Sequence, residues 1–170
     1  MAEEQGVAGE QMTNGEDNLP QVAILSQYVK DLSFENPNAP AVYQWGEQPQ
    51  IGVDVNIGAS KLGDEIHEVS LRLDVRATAN GGQTAFAVDL LYAGLIAIRN
   101  VSDEQAQPFL LAEAPRLLFP FARQIISHAV QDGGFPPLML DPIDFGGLYM
   151  QKAQEGSIEG GAAEGQIGQA

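Results

Sequence analysis

The sequence of 170 residues contains no cysteine and only two histidines, His67 and His128. Without thiols there is no disulfide, no thiolate nucleophile and no cysteine-ligated metal. The two histidines fall in unrelated stretches, so neither a Ser-His-acid set nor a three-ligand zinc pattern can be assembled from local motifs. Basic residues are scarce, 8 against 23 acidic ones, for a formal charge of -15. That charge repels nucleic-acid backbones and anionic membranes and favours basic protein partners. No apolar run reaches about 18 residues, and the amino end is acidic with no apolar segment, so neither a membrane span nor a signal peptide is expected. The glycine pairs at 81–82, 133–134 and 146–147 follow neither the dinucleotide nor the phosphate-loop pattern. They read as turns and caps, and no cofactor is expected.

Two candidates for chemistry have plainer readings. His67 shares an alternating face with valines and leucines and reads as a core or contact histidine; His128 lies near a helix end, where positive charge is mildly favoured. Asp64, Glu65 and Glu68 could loosely hold a cation, but a solvated turn explains them as well. Paired carboxylates brought together by the fold remain open to general acid–base work, although eight basic residues offer little to an anionic transition state. No catalytic residue, and no enzyme activity, is expected.

The acidity is uneven. Residues 1–19 and 154–170 hold eight acids and no base, are rich in Gly, Glu and Gln, and have few large apolar groups. They cannot offset the entropy of being ordered, so they read as flexible acidic arms around a domain at 20–153. The arms serve either solubility or contact with a basic partner.

Within the domain, periodicity gives four strands and then helices, an α+β plan. Between Val22 and Glu35 an imperfect alternation sets Tyr28, Lys30, Leu32 and Phe34 against Val29, Asp31, Ser33 and Glu35. Residues 36–50 form a long connection with three prolines. Ile51, Val53, Val55 and Ile57 alternate cleanly with polar or small residues, and a third strand runs from His67 to Ala77. Asn80-Gly81-Gly82 is a tight-turn signal. The fourth strand, Thr84 to Ile98, is apolar on both faces, with Phe86, Val88, Leu90, Tyr92 and Ile96 on one and Ala85, Ala87, Leu91, Ala93, Leu95 and Ala97 on the other. It is either a buried central strand or a surface covered by another subunit.

Ser102-Asp-Glu-Gln105 is a capping box that starts a helix. Pro115 is expected to stop or kink it, and Arg116–Gln131 to continue with Leu118, Phe121, Ala122, Ile125 and Ala129 along one stripe. Pro120 fits a first turn better than an interior, with a bend over 117–119. Phe135–Pro142 reads as extended, and Asp144 as the cap of a short last helix through Met150. Tyr43, Trp45, Phe135, Leu138, Met139, Leu140, Phe145, Leu148, Tyr149 and Met150 place aromatic and flexible apolar groups in loops and short elements. They either cover the sheet or line a groove for varied, flexible partners.

Three stretches carry a family resemblance: Lys30-Asp-Leu-Ser-Phe-Glu-Asn-Pro-Asn-Ala-Pro40, Leu118-Phe-Pro-Phe-Ala-Arg123 and Phe135-Pro-Pro-Leu-Met-Leu-Asp-Pro-Ile-Asp-Phe145. Their order and spacing resemble the SecB protein-export chaperones from about residue 22 to 151. The resemblance implies a SecB-like subunit, a four-stranded antiparallel sheet packed with a long helix and a short carboxyl-terminal one. It implies a cytoplasmic homotetramer, a dimer of dimers, that holds unfolded secretory precursor proteins without ATP and delivers them to the SecA motor. A SecB-like holdase for a toxin or antitoxin is the alternative. Tyr43 and Trp45 then fall in the client-binding region, with Phe135, Met139, Phe145, Leu148 and Tyr149 as further client-binding residues. Asp31 and Glu35 match the SecA-binding acidic patch, while Asn80–Gln83 lacks the glutamate expected there.

Overall fold

A computed structural model describes residues 18–163; the expected arms lie largely outside them. Four long strands, β1 (Gln21–Glu35), β2 (Gln50–Lys61), β3 (Ile66–Ala79) and β4 (Gln83–Arg99), form one antiparallel sheet in the order β1-β4-β3-β2. The β3–β4 hairpin turns at Asn80, Gly81 and Gly82, all with positive φ, as the Asn-Gly-Gly signal requires. A helical layer follows on one face. Helix α1 (Asp103–Pro108), a π-helical segment (Phe109–Glu113) and α2 (Ala114–Asp132) run on without a break, and α3 spans Phe145–Ala163.

Central β4 has strand neighbours on both edges, and the core covers one of its two apolar faces. Its helix-facing side chains, Phe86, Val88, Leu90 and Ile96, join Val69, Leu71, Leu73 and Val75 of β3 in the core under Leu118, Ala122, Ile126 and Val130 of α2. Close seating requires Gly94: a Cβ there would lie 2.9 Å from a Leu118 methyl. On the other face, Ala93 is buried and Leu91 and Leu95 half-buried between side chains of β1 and β3, with no helix over them.

Several expectations need correction. The alternation in β1 is imperfect because the register slips between Val29 and Asp31. This β-bulge moves Tyr28 to the face of Asp31, Ser33 and Glu35, leaving Val29, Leu32 and Phe34 opposite Tyr92, Leu90 and Val88 on the helix side. Pro115 does not stop the helix. The π turn ahead of it pairs the Ala114 amide with the Phe109 carbonyl, and Pro115 sits in the first turn of α2. Pro120 lies inside α2, on its exposed side, with no bend over 117–119. The buried stripe of α2 is rotated relative to the expected one: Phe119 and Ile126 are inside, while Phe121 is 48 % exposed. Helix α3 continues to Ala163, past both Met150 and the expected domain limit at 153.

Candidate functional site

The long connection between β1 and β2 is tied down at several points. Asn38 Nδ2 donates to the Thr84 carbonyl (2.8 Å), and the Asn80 amide donates to Glu47 Oε2 (3.2 Å). Val42, in a 3-10 turn over Ala41–Gln44, is buried. This places Tyr43 beside the end of α2, where its hydroxyl donates to the Gly133 carbonyl at 2.7 Å. Its ring lies 5.6 Å from that of Phe135, which in turn meets Phe86 at 4.8 Å. Trp45 is half-buried against the same core.

The remaining candidates lie after α2. Met139 is 61 % exposed, whereas Phe145 is 2 % exposed and packs edge-on against Phe119 at 5.7 Å. Phe145 therefore anchors α3 and offers no open surface in this arrangement. Asp144 Oδ1 accepts from the Gly147 amide (3.0 Å) and caps α3, as expected from its position. Leu148 and Tyr149 follow on α3 and line an apolar pocket of about 240 Å³ with Ile57, Leu111, Lys152 and Ala153. Leu148 also borders a second, more open groove with Val53, Val55 and Ile143, to which Asp54, Asp144 and Gln151 add a polar side.

One element joins the two groups. The helix-side residues of edge strand β2, Ile51, Val53, Val55 and Ile57, run from the row of Ala77 and Phe86 to the pocket under α3. Ile51 and Val53 are 40 % and 39 % exposed. Their clean alternation was readable in the sequence, but not that Ile51 and Val53 stay open while Val55 and Ile57 are partly buried against the core. The site is thus an open apolar strip along β2, flanked by Tyr43, Trp45 and Phe135 at one end and by Leu148 and Tyr149 at the other. Broad apolar area with few fixed polar groups suits extended chains of varied sequence better than one small molecule.

Asp31 and Glu35 lie on the opposite face of the sheet, both exposed, in register with Leu91 and Ala87. The face is mixed in charge. Arg72 forms a two-armed pair with Asp89 (2.7 and 3.1 Å), and the charges of Asp31 and Asp74 also reach it; together these hold its guanidinium pKa up. Lys30 pairs with Glu68 at 2.8 Å. The turn acid Glu65 pairs with Arg99 at 2.8 Å, and among the described residues no group of His, Asp and Glu is placed to hold a metal ion. His67 is buried on the helix side of β3.

Apolar surface also remains uncovered elsewhere. Val22, Ile24, Val29 and Leu32, on the helix side of edge strand β1, are 45, 37, 45 and 43 % exposed. They adjoin the flank of α2, where Leu32 and Phe34 share an open groove with Ile125, His128 and Ala129. These side chains are more exposed than Leu91 and Leu95 on the outer face of β4, which are half-buried.

The model of the family "Preprotein translocase subunit SecB" matches residues 15–156. The chain is 59 % identical over 155 residues to the protein-export protein SecB of Rhizorhabdus wittichii, covering 91 % of this chain and 92 % of that protein. Identity to the corresponding Sphingopyxis alaskensis protein is 57 %, with coverage of 92 % and 91 %. Among solved structures, a SecB-like chaperone of Mycobacterium tuberculosis in complex with an antitoxin peptide has the same fold. Its TM-score is 0.57 at 16 % identity, over 72 % of this chain and 90 % of that one. With the sheet order, the helical layer and matches of this extent in agreement, the chain belongs to the SecB family of preprotein translocase subunits.

Proposed function

We propose that this chain is a cytoplasmic, ATP-independent holdase that keeps precursor proteins unfolded before export and delivers them to the SecA motor. Chaperones of this family are not enzymes. The observation that carries the reading is the open apolar strip along β2, with Tyr43, Trp45 and Phe135 at one end and Leu148 and Tyr149 at the other. An unfolded chain offers apolar side chains without fixed order, and a long strip rimmed by aromatics takes them up by area rather than by shape. Phe145 holds α3 in place and is left out of the contact surface.

The expected assembly is a homotetramer, a dimer of dimers. The uncovered face of β1 and the adjoining flank of α2 supply apolar surface for a second copy. Each half-exposed Val, Ile or Leu there contributes about 1 kcal/mol on full burial. Delivery uses the other side of the sheet: Asp31 and Glu35 face away from the β2 strip, so client and motor can be held together.

The test is suppression of aggregation of a chemically unfolded precursor, with and without ATP, by wild type and Trp45→Ala. Equal holding with and without nucleotide is expected, with holding reduced in the variant by a hot-spot loss of about 2 kcal/mol. An ATP requirement, or full holding by an intact Trp45→Ala oligomer, would contradict the respective part. The fold shared with the antitoxin-bound chaperone favours a second reading, a holdase for a toxin or antitoxin. Recovery of a toxin–antitoxin pair, and no precursors, with the native protein would decide for it.

A further inference from the structure

We propose that Asn36 is a positioning residue for client binding, acting through Tyr43. The inference rests on the client-binding reading of Tyr43 and Trp45. Asn36 follows the last residue of β1, and its amide nitrogen donates both to Tyr43 Oη (2.9 Å) and to the Gly133 carbonyl (3.2 Å). Tyr43 Oη accepts from Asn36 and donates to the same Gly133 carbonyl at 2.7 Å. The three groups close a triangle in which every donor has an acceptor. The orientation of the amide follows, because turning it over would set Oδ1 against the Gly133 carbonyl. Asn36 Oδ1 points instead into protein, buried and without a partner.

The backbone beneath the triangle is shaped for it. Gly134 has φ +85, and a Cβ there would lie 3.1–3.3 Å from the Tyr43 ring and hydroxyl. Gly133 has an ordinary φ, but a Cβ on it would enter the Phe34 ring. Gly134 leaves room for the Tyr43 ring at the end of α2, and Gly133 for the Phe34 ring beside it. Tyr43 is nevertheless 48 % exposed, so it shows a free ring surface while its hydroxyl is held at two points. An aromatic fixed in this way costs less to order when a client docks. Without Asn36 the ring and the 3-10 turn leading to Trp45 lose one of the ties that set their position, and part of the client affinity goes into restoring it.

The experiment uses the full-length oligomer and a reduced, carboxymethylated lactalbumin as a permanently unfolded probe. Client dissociation constants are measured for Asn36→Ala, Asn36→Asp, Tyr43→Phe, Asn36→Ala with Tyr43→Phe, and Trp45→Ala. Protease cleavage within residues 36–50 is timed in parallel. Asn36→Ala and Tyr43→Phe should each weaken binding about five-fold, the scale of one hydrogen bond, and speed cleavage. Asn36→Asp keeps the shape but not the donors and should weaken binding at least as much, which covers the case of an alanine variant that packs badly. The loss in the double variant should depart from the sum of the two single losses, because both side chains donate to the one Gly133 carbonyl and are bonded to each other. A general loss of stability would not produce that coupling. Wild-type binding by the Asn36 variants alongside weak binding by Trp45→Ala would overturn the clamp and leave the client surface standing. Additive losses in the double variant would also overturn it. Wild-type binding by Trp45→Ala would remove the client reading itself.

Discussion

Tyr28 of β1 and Glu68 of β3 meet across the central strand β4, the phenol donating to the carboxylate at 2.5 Å while Lys30 pairs with the other oxygen at 2.8 Å. The small side chain of Ala93, in register with Tyr28, leaves room for the bridge. The hydrogen bond to Glu68, with burial and the carboxylate charge, pushes the Tyr28 phenol up to about 12 from 10.0, and the bonds from Lys30 and Tyr28 lower Glu68 below 4.5.

Stability should therefore respond to pH at both ends. The Tyr28 contribution is complete below pH 10.0 and lost as pH rises toward about 12, because its folded pKa is the higher one. The Glu68 contribution is present above 4.5 and lost as pH falls through its lower folded value. Ultraviolet phenolate titration should show a component near pH 12 that Glu68→Gln moves down. A titration curve identical in the variant would remove the bridge.

Leu32 is exposed on the helix side of β1, where a second copy is expected to pack. Leu32→Glu should shift sedimentation equilibrium toward smaller species while leaving the circular dichroism of the subunit intact, since an unpaired carboxylate in an apolar contact costs several kcal/mol. A wild-type mass for the variant would place the contact elsewhere.

Asp31→Lys with Glu35→Lys reverses two charges on the outer face. Client holding should persist, because the β2 strip lies on the other side of the sheet. Affinity for SecA should fall, with a shallower salt dependence in what remains. Calorimetric titration at two ionic strengths checks this, and unchanged affinity in an intact oligomer would move the docking surface.

Phe145→Ala removes the ring that joins α3 to Phe119 of α2. A loss of about 3 kcal/mol is expected in chemical unfolding, the scale of a buried Phe truncation. Amide exchange in the first turns of α3 should rise before that of the sheet. Protection of α3 equal to wild type would mean that other contacts hold it.

Much of this was legible in one dimension. Alternation located β3 and β4 to within a residue or two and the start of β2, though β2 runs on to Lys61 past the alternating stretch; Asn80-Gly81-Gly82 marked the hairpin, and Ser102 with Gln105 marked the helix start, because each depends on φ, on parity or on a hydrogen bond between near neighbours. The three stretches beginning at Lys30, Leu118 and Phe135 carried the family. For the same local reason, Asp31 and Glu35 could be placed on one face.

What the tertiary structure decided concerns relations between distant segments. The bulge at Lys30 reverses the faces of β1, and only the register with β4 reveals it. Pro120 stays helical because α2 is held by the burial of its other side, which outweighs one missing amide bond. Phe145 and Tyr149 look alike in sequence, yet the ring of Phe119 buries the first, while the second borders an open pocket. The bond from Asn36 through Tyr43 to Gly133 joins residues 97 positions apart at its extremes. No periodicity encodes such a contact, because it exists only once β1 and the end of α2 have been brought side by side.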